Sequence, residues 1–414
     1  MTVACPRLRP LEIFPTELEG RRVLCLRDPA GLTDRVAFLP GAAIAILSAC
    51  DGQRTAAEVA AHAAARLGMP IGEEQVHELL DQLDDGLFLD TPRFHAHHRA
   101  LLDEFRATPV REASHAGQSY TDDAAELAAF LDAQLEGARR RATAPPRPPA
   151  GLIAPHIDFA RGGPVYGDAY LPLVGAASAY DLVVVFGTDH NGVRHPFTLT
   201  RKSYATPLGV VPTDVDLVDA LAADLAHVDG GDALFDDEFH HRQEHSIEFQ
   251  AVWLRHVFGS SPPPLLPILC GPFSEARPGA RVKPKVRALL AALRARTAGR
   301  RVLVVAGADL AHVGPRFGDA PFRAPERALL EAADRRALDR IAAGDADGFY
   351  DAIVSDGDRF KVCGTSPIYA TLGLLALADR PPARADLLAY TQCPADDSGE
   401  GPVSWVSITA MAIY

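Results

Sequence analysis

Beyond Gly151 the chain repeats one device: a short unbroken apolar run, a polar loop, then a helical stretch. The runs are Gly151–Ala154, Leu182–Phe186, Leu265–Leu269 and Val302–Ala306, with Leu387–Tyr390 and Val403–Ile408 late in the chain. The stretches expected as helices are 214–225, 246–258, 282–296 and 327–343. A run such as LVVVF offers no wet face, so such a strand must be covered on both sides. Alternation with helices then predicts an α/β sandwich on a mainly parallel or mixed sheet. Ligands of open α/β sheets sit beyond the carboxyl ends of the strands, and the polar residues of this chain fall there. One run leads into Pro155-His156, a second into Gly187-Thr188-Asp189-His190, and a third into Gly307-Ala308-Asp309-Leu310-Ala311-His312. Each of these strand ends delivers a histidine to one rim. Later, Cys363-Gly364 precedes Thr365-Ser366-Pro367, a helix start, where a thiolate is favoured by unpaired N–H groups. A small buried hydrophobe is the other reading of a free cysteine.

Composition excludes several classes. The 414 residues fit two or three domains. Basic residues number 41 against 54 acidic, a net charge of −13, which disfavours a broad nucleic-acid surface. No apolar run approaches the roughly 20 residues of a membrane span. Met1 to Pro15 has no apolar core of a secretory signal. The six cysteines are scattered and form no C-x-x-C, which fits a reducing cytoplasm. P-loop, dinucleotide-binding and G-x-S-x-G motifs are absent. The expectation is a cytoplasmic protein with neither nucleic acid nor membrane as partner.

Residues 1–100 read as a separate small domain. Strands are expected at 22–26 and 36–39, helices at 42–49, 56–67 and 73–84, and a last strand at 87–89. Thr55 is placed to cap the second helix and Gly68 to end it. This is a winged-helix pattern, and FLPGAAIAILSACDGQRTAAEVAAHAAARLGMPIGEEQVHELLDQLDDGLFLD resembles the PqqD-like family of peptide-recognition elements. The resemblance implies a peptide added as a strand to a sheet edge; an intramolecular cap or a dimerisation module is the alternative. His95, His97 and His98 in RFHAHHRA are expected in a solvated linker, and TAPPRPPA at 143–150 in a surface loop.

Residues 108–414 carry a second resemblance. REASHAGQSYT, IAPHIDF, FGTDHN, YATPLG, DDEFHHRQEHSIEFQ, PILCGPF, AGADLAHVGPRFGD, KVCGTSPI and PVSWVS follow one another as in the Memo family, which includes protein B of the AmmeMemoRadiSam system. The Memo fold is similar to class III extradiol dioxygenases, which use non-haem Fe(II). The resemblance implies a metal held by His156, His190 and Cys363. It places His245 beside the metal as a general acid/base and Asp309 and His312 in the same pocket. Asp189, Glu244 and Glu248 fall in the surrounding shell. The chain departs from the common Memo pattern at PHIDF, at His190-Asn191 and at Val313. Asp158, two residues from His156, either orients that imidazole or faces the substrate.

Two imidazoles with one anionic ligand leave coordination positions open, as in the two-His-one-carboxylate iron triad. A thiolate tolerates Cu, Zn(II) or Fe(II); the dioxygenase likeness favours Fe(II). The expected function is a metal-dependent oxidoreductase acting on a peptide, a peptide-derived molecule or another small molecule, with a radical-SAM enzyme as partner. Two rivals stand beside it. One is a non-catalytic, Memo-like metal-binding or partner-binding protein. The other is a zinc hydrolase built on His241-Arg242-Gln243-Glu244-His245, an H-x-x-E-H pattern that needs His241 and His245 on one helix face. Arg201, Lys202, Arg316 and Arg359 are candidate partners for a substrate anion.

Overall fold

The structure is a computed structural model describing residues 4–143, 147–192, 194–229, 231–274, 282–355, 357–396 and 401–414. Residues 144–146 of the TAPPRPPA loop thus lie outside the described residues. Contacts divide the chain into two units, Met1–Ala107 and Thr108–Tyr414.

The first unit opens with an antiparallel sheet, β1 (Glu12–Leu18), β2 (Arg21–Arg27) and β3 (Ala37–Pro40), in that order. Four helices follow: α1 (Ile44–Leu47), α2 (Ala56–Leu67), α3 (Glu73–Asp85) and α4 (Pro92–Ala107). Leu26 and Leu39 of the sheet pack on Val59 and Ala63 of α2 and on Val76, Leu80 and Leu83 of α3. Thr55 and Glu58 close a capping box on α2, and Gly68 ends it in the left-handed region at φ 69°. The sequence reading misses β1, whose EIFPTEL carries a proline, and it misplaces RFHAHHRA. That stretch lies in α4, which Thr91 and Pro92 start and which Phe94 and Phe105 anchor. Its histidines diverge: His95 reaches Asp90, His97 bonds to the Leu32 carbonyl and His98 stacks on Phe94.

The second unit runs β4 (Val110–Arg111), α5 (Ala124–Arg141), β5 (Gly151–Ala154), α6 (Phe159–Tyr170), β6 (Leu182–Thr188), β7 (Phe197–Leu199), β8 (Ser203–Tyr204), α7 (Val215–Asp229), α8 (His245–Phe258), β9 (Leu265–Cys270), α9 (Pro284–Arg296), β10 (Val302–Gly307), β11 (His312–Val313), α10 (Ala324–Ala342), α11 (Ala346–Val354), α12 (Thr365–Ala376), β12 (Ala385–Pro394) and β13 (Trp405–Ile413). The central sheet has the order β11-β13-β5-β10-β6-β9-β7, with β12 also paired to β13. It is mixed. β5, β10, β6 and β9 are parallel, while β13 and β7 run antiparallel to their neighbours.

Successive side chains of β6 enter different cores. Leu182, Val184 and Phe186 join one with α7, α9, α10, α11 and α12; Val183 and Val185 join the other with α5, α6 and α8. Full burial of each such side chain is worth about 1.5–3 kcal/mol. The result is helices, sheet, helices, with the carboxyl ends of the four parallel strands along one edge. Glycines let α8 cross that edge closely. A Cβ on Gly307 would stand 2.3 Å from the Ser246 carbonyl oxygen, and one on Gly187 would meet Ile247 at 2.5 Å. Close approach there brings His245, the first residue of α8, to the strand ends. Among the described residues, no helix is long and apolar enough to cross a membrane.

Candidate metal centre

The loops after β5 and β6 and the start of α8 place His156, His190 and His245 together. Their ligand atoms all lie within 4.8 Å of one another. The rings of His190 and His245 stack at 4.9 Å between centroids, and His156 meets each of them edge-on at 5.1 Å. Every ring is held from behind. His156 Nδ1 donates to the Gly307 carbonyl at 2.9 Å. His190 Nδ1 donates to the Glu244 carboxylate at 3.0 Å, and His245 Nδ1 lies 3.3 Å from the same group. With each Nδ1 so engaged, the Nε2 atoms are left for the centre, the arrangement carboxylate– and carbonyl–histidine pairs impose on metal ligands.

Cys363 joins from the loop before α12. Its Sγ lies 3.2 Å from His156 Nε2. Burial alone would raise this thiol, but the His156 and His312 charges outweigh it and hold the pKa well below that of an ordinary cysteine. Burial likewise opposes charge on His156, yet the Cys363 thiolate and Asp309 raise it to about 9. His190 is also raised, against burial, by Glu244. Burial drives His245 the other way, well below an ordinary histidine, with Glu244 opposing and the charges on His190 and His156 adding. Negative charge is thus favoured on Cys363 and positive charge on His156 and His190, while positive charge on His245 is disfavoured.

The surrounding residues divide into near and far. Asp309 accepts the His156 backbone N–H at 2.7 Å, and its own pKa is raised by burial. His312 is fixed through Nδ1 on the Leu310 carbonyl at 3.2 Å; burial opposes its charge, but Cys363 raises its pKa. Glu244 is the hub: besides the two rings it accepts the His190, His245 and Ser246 backbone N–H groups, so it also caps α8. Glu248 lies a step further out, buried against Arg111, Tyr120, Ser114 and the His115 N–H. Asp189 is held by His240 Nδ1 at 2.9 Å and by the Asn191 N–H.

Asp158 does something other than orient His156. It caps α6 through the Arg161 N–H and pairs with the Arg161 guanidinium, and the Gly307 carbonyl takes the role expected of it. The H-x-x-E-H reading also fails on geometry. His241 ends in a 3-10 turn, Glu238–Arg242, while α8 begins only at His245, so no single helix face carries both histidines. Both His241 nitrogens are engaged, Nδ1 accepting from the Tyr204 hydroxyl at 2.7 Å and Nε2 donating to the Thr198 carbonyl at 3.1 Å. Burial depresses its pKa to about 3. Of the candidate anion partners, Arg201 pairs with Asp219, Lys202 donates to the Thr108 carbonyl, Arg316 donates to the Ala395 carbonyl and Arg359 stacks on Phe360.

Sequence reasoning passed over His115, which meets His245 edge-on at 5.4 Å, and Arg111 and Tyr120, which hold Glu248. The signal was REASHAGQSYT, which carries all three.

A profile of the family described as Memo-like protein matches residues 111–409. The chain belongs to the Memo family. A MEMO1 family protein of Aquifex aeolicus is 25% identical over 394 residues, covering 94% of this chain and 95% of the relative. A MEMO1 family protein of Methanosarcina acetivorans is 30% identical over 291 residues, covering 70% and 94%. In this Memo family member the matched region holds all four donors, His156, His190, His245 and Cys363. The Aquifex relative is similar across the first unit as well.

Proposed function

We propose that this Memo family member is a metal-dependent oxidoreductase of dioxygenase-like mechanism, with Fe(II) as its metal. One observation carries the reading: three ring nitrogens and the Cys363 sulfur converge at one strand-end rim, each from a braced side chain. The donor set fits such an ion. His156, His190 and Cys363 would hold it, and the same donors accept Cu or Zn. When bound, the ion supplies Lewis acidity and, as iron, chemistry with dioxygen.

The chain's own residues supply the rest. Glu244 fixes His245 through Nδ1 and burial keeps the ring neutral, so Nε2 accepts a proton from a substrate hydroxyl. Asp309 sets the His156 backbone, and His312 steadies the Cys363 sulfur. The first unit acts as a PqqD-like winged-helix module that recognises a peptide substrate or a peptide-bearing radical-SAM partner in the cytoplasm. Its three-stranded sheet supports this reading, since a peptide strand can extend an open edge.

A non-catalytic metal carrier is favoured by one fact: four donors are enough to close a site. Metal analysis and oxygen uptake of anaerobically purified protein separate the two. About one iron per chain is expected, lost in His156→Ala and Cys363→Ser but kept in His245→Ala and His241→Ala. Loss in His245→Ala as complete as in His156→Ala, without substrate-dependent oxygen uptake in the wild type, would favour the carrier. Absence of metal from the wild type would overturn both.

A further inference from the structure

Arg111 stands outside the group of histidines, yet its bonds run to the turn that carries Glu244. We infer that Arg111, seconded by His115, is a positioning residue of the centre: it grips that turn and, through the Glu244 carboxylate, aims the His190 ring. The inference rests on the reading of His190 as a metal ligand.

Arg111 ends β4 and is 1% exposed. A buried guanidinium needs an acceptor for every N–H. Nε donates to the His241 carbonyl at 2.8 Å and Nη2 to the Glu244 carbonyl at 2.9 Å. Nη2 also reaches Ser114 Oγ, while Nη1 donates to the Glu112 carbonyl and to the Glu248 carboxylate. His115 Nε2 adds a bond to the Gln243 carbonyl at 2.8 Å. The carbonyls of His241, Gln243 and Glu244 are thus held by side chains of one short segment. Glu248 ties that segment to α8, accepting from Ser114 Oγ and from the His115 N–H.

The gripped stretch is where the chain changes conformation. The 3-10 turn closes at Arg242, and Glu244, extended at φ −74° and ψ 128°, starts α8 as its cap. Between helices of different kind the backbone ladder is interrupted, so side-chain bonds decide the course of the chain.

What the grip controls is specific. His190 Nδ1 and the His190 backbone N–H both end on Glu244. The His190 side chain is 36% exposed, whereas that of His156 is 2% exposed. Packing holds His156 on all sides; His190 depends on its hydrogen-bond partner. A shift of the Glu244 backbone therefore carries to the His190 ring. It leaves His156, braced by Gly307 and Asp309, where it is.

Lysine keeps the charge that Glu248 needs, but its single ammonium cannot span two carbonyls and a carboxylate together. Arg111→Lys is therefore the test variant, combined in turn with Glu244→Gln and with Asp309→Asn. The measurements are Co(II) affinity by chelator competition, with thiolate-to-cobalt absorption reporting Cys363, and urea unfolding of each apoprotein. Arg111→Lys is expected to bind Co(II) about tenfold more weakly, the low end of the range for partners of a metal-bound histidine, and to keep the thiolate band. In the Glu244→Gln background it should add less than about twofold, because the route to His190 is already cut. With Asp309→Asn, which acts on His156, the two factors should multiply. If Arg111→Lys does not fold, His115→Phe goes through the same cycle with a smaller loss. It keeps a ring against His245 and Phe249 and gives up only the Gln243 bond. Unchanged Co(II) affinity beside a less stable apoprotein would make Arg111 a packing group and overturn the inference. So would factors that multiply with Glu244→Gln or fail to multiply with Asp309→Asn, either of which leaves the metal reading standing. Wild-type protein that takes up no cobalt would overturn that reading and the inference with it.

Discussion

Glu244→Gln is the sharpest probe of the centre. Glu244 is buried, with the His245 and Ser246 N–H groups on Oε1 at 2.9 and 3.0 Å. Oε2 faces the His190 N–H at 3.1 Å and His190 Nδ1 at 3.0 Å. A glutamine keeps one carbonyl oxygen, and the helix N–H pair will claim it. The new NH2 group then points at two donors of His190. Two hydrogen bonds to a charged acceptor are lost, at about 1.5–3 kcal/mol each, so the apoprotein should lose about 3–6 kcal/mol. Metal affinity should fall about 10–100-fold, because His190 loses the partner that aims Nε2. Urea unfolding and chelator competition measure the two effects. The pH dependence has a definite sign. Burial opposes the Glu244 charge, but His190 and His245 hold the folded pKa well below the ordinary glutamate value. Its stabilisation is therefore full above the unfolded pKa near 4.3 and is lost as pH falls through the folded value. Wild type and Glu244→Gln should differ most at neutral pH and converge in acid. A stability loss under about 1 kcal/mol with unchanged metal affinity would refute the hub.

Three further outcomes are expected. Asp334, buried and bonded by the Tyr390 hydroxyl at 2.8 Å, has its pKa raised by burial to about 6. The folded state then binds the extra proton between the unfolded value near 3.9 and about 6, so wild-type stability should fall by roughly 3 kcal/mol as pH rises through that window; unfolding curves of Asp334→Asn should lack this slope. Gly307→Ala drives a Cβ to 2.3 Å from the Ser246 carbonyl, and because backbone cannot give way cheaply, circular dichroism melts should register a loss of about 3 kcal/mol or no folded protein. Thr55→Ala removes the α2 capping box, and thermal unfolding of the first unit should report about 1 kcal/mol less stability.

The apolar runs of β5, β6, β9 and β10 were legible because strands covered on both faces leave no polar alternation to confuse them. The same logic located His156, His190, Asp309 and His312, since a parallel sheet puts all its carboxyl ends on one edge. The bounds of α2 were legible through its caps, Thr55 and Gly68. α6 was not. FARGGPVYGDAY holds three glycines and a proline, poor helix material, yet a Cβ on Gly167 would sit 2.6 Å from the Gln134 carbonyl of α5. Tertiary packing, backbone against backbone, overrides propensity there. Asp158 read as a group turned toward the centre because two residues is a short way along the chain; its capping bond to Arg161 is equally local and wins. The brace of Arg111 and Tyr120 on Glu248 spans 137 and 128 residues, which no local pattern reports.

That distance has a temporal side. His156 and Cys363 are 207 positions apart, and β13, which pairs beside β5, is later still. During synthesis the histidines emerge long before the sulfur that is to stand among them. The finished arrangement waits for the sheet to close. For the proposed metal, uptake and folding would be one thermodynamic event, and free metal should stabilise the folded chain by mass action. By the same logic, a cut in any loop between β5 and α12 that lets the pieces part dismantles the centre without touching a donor.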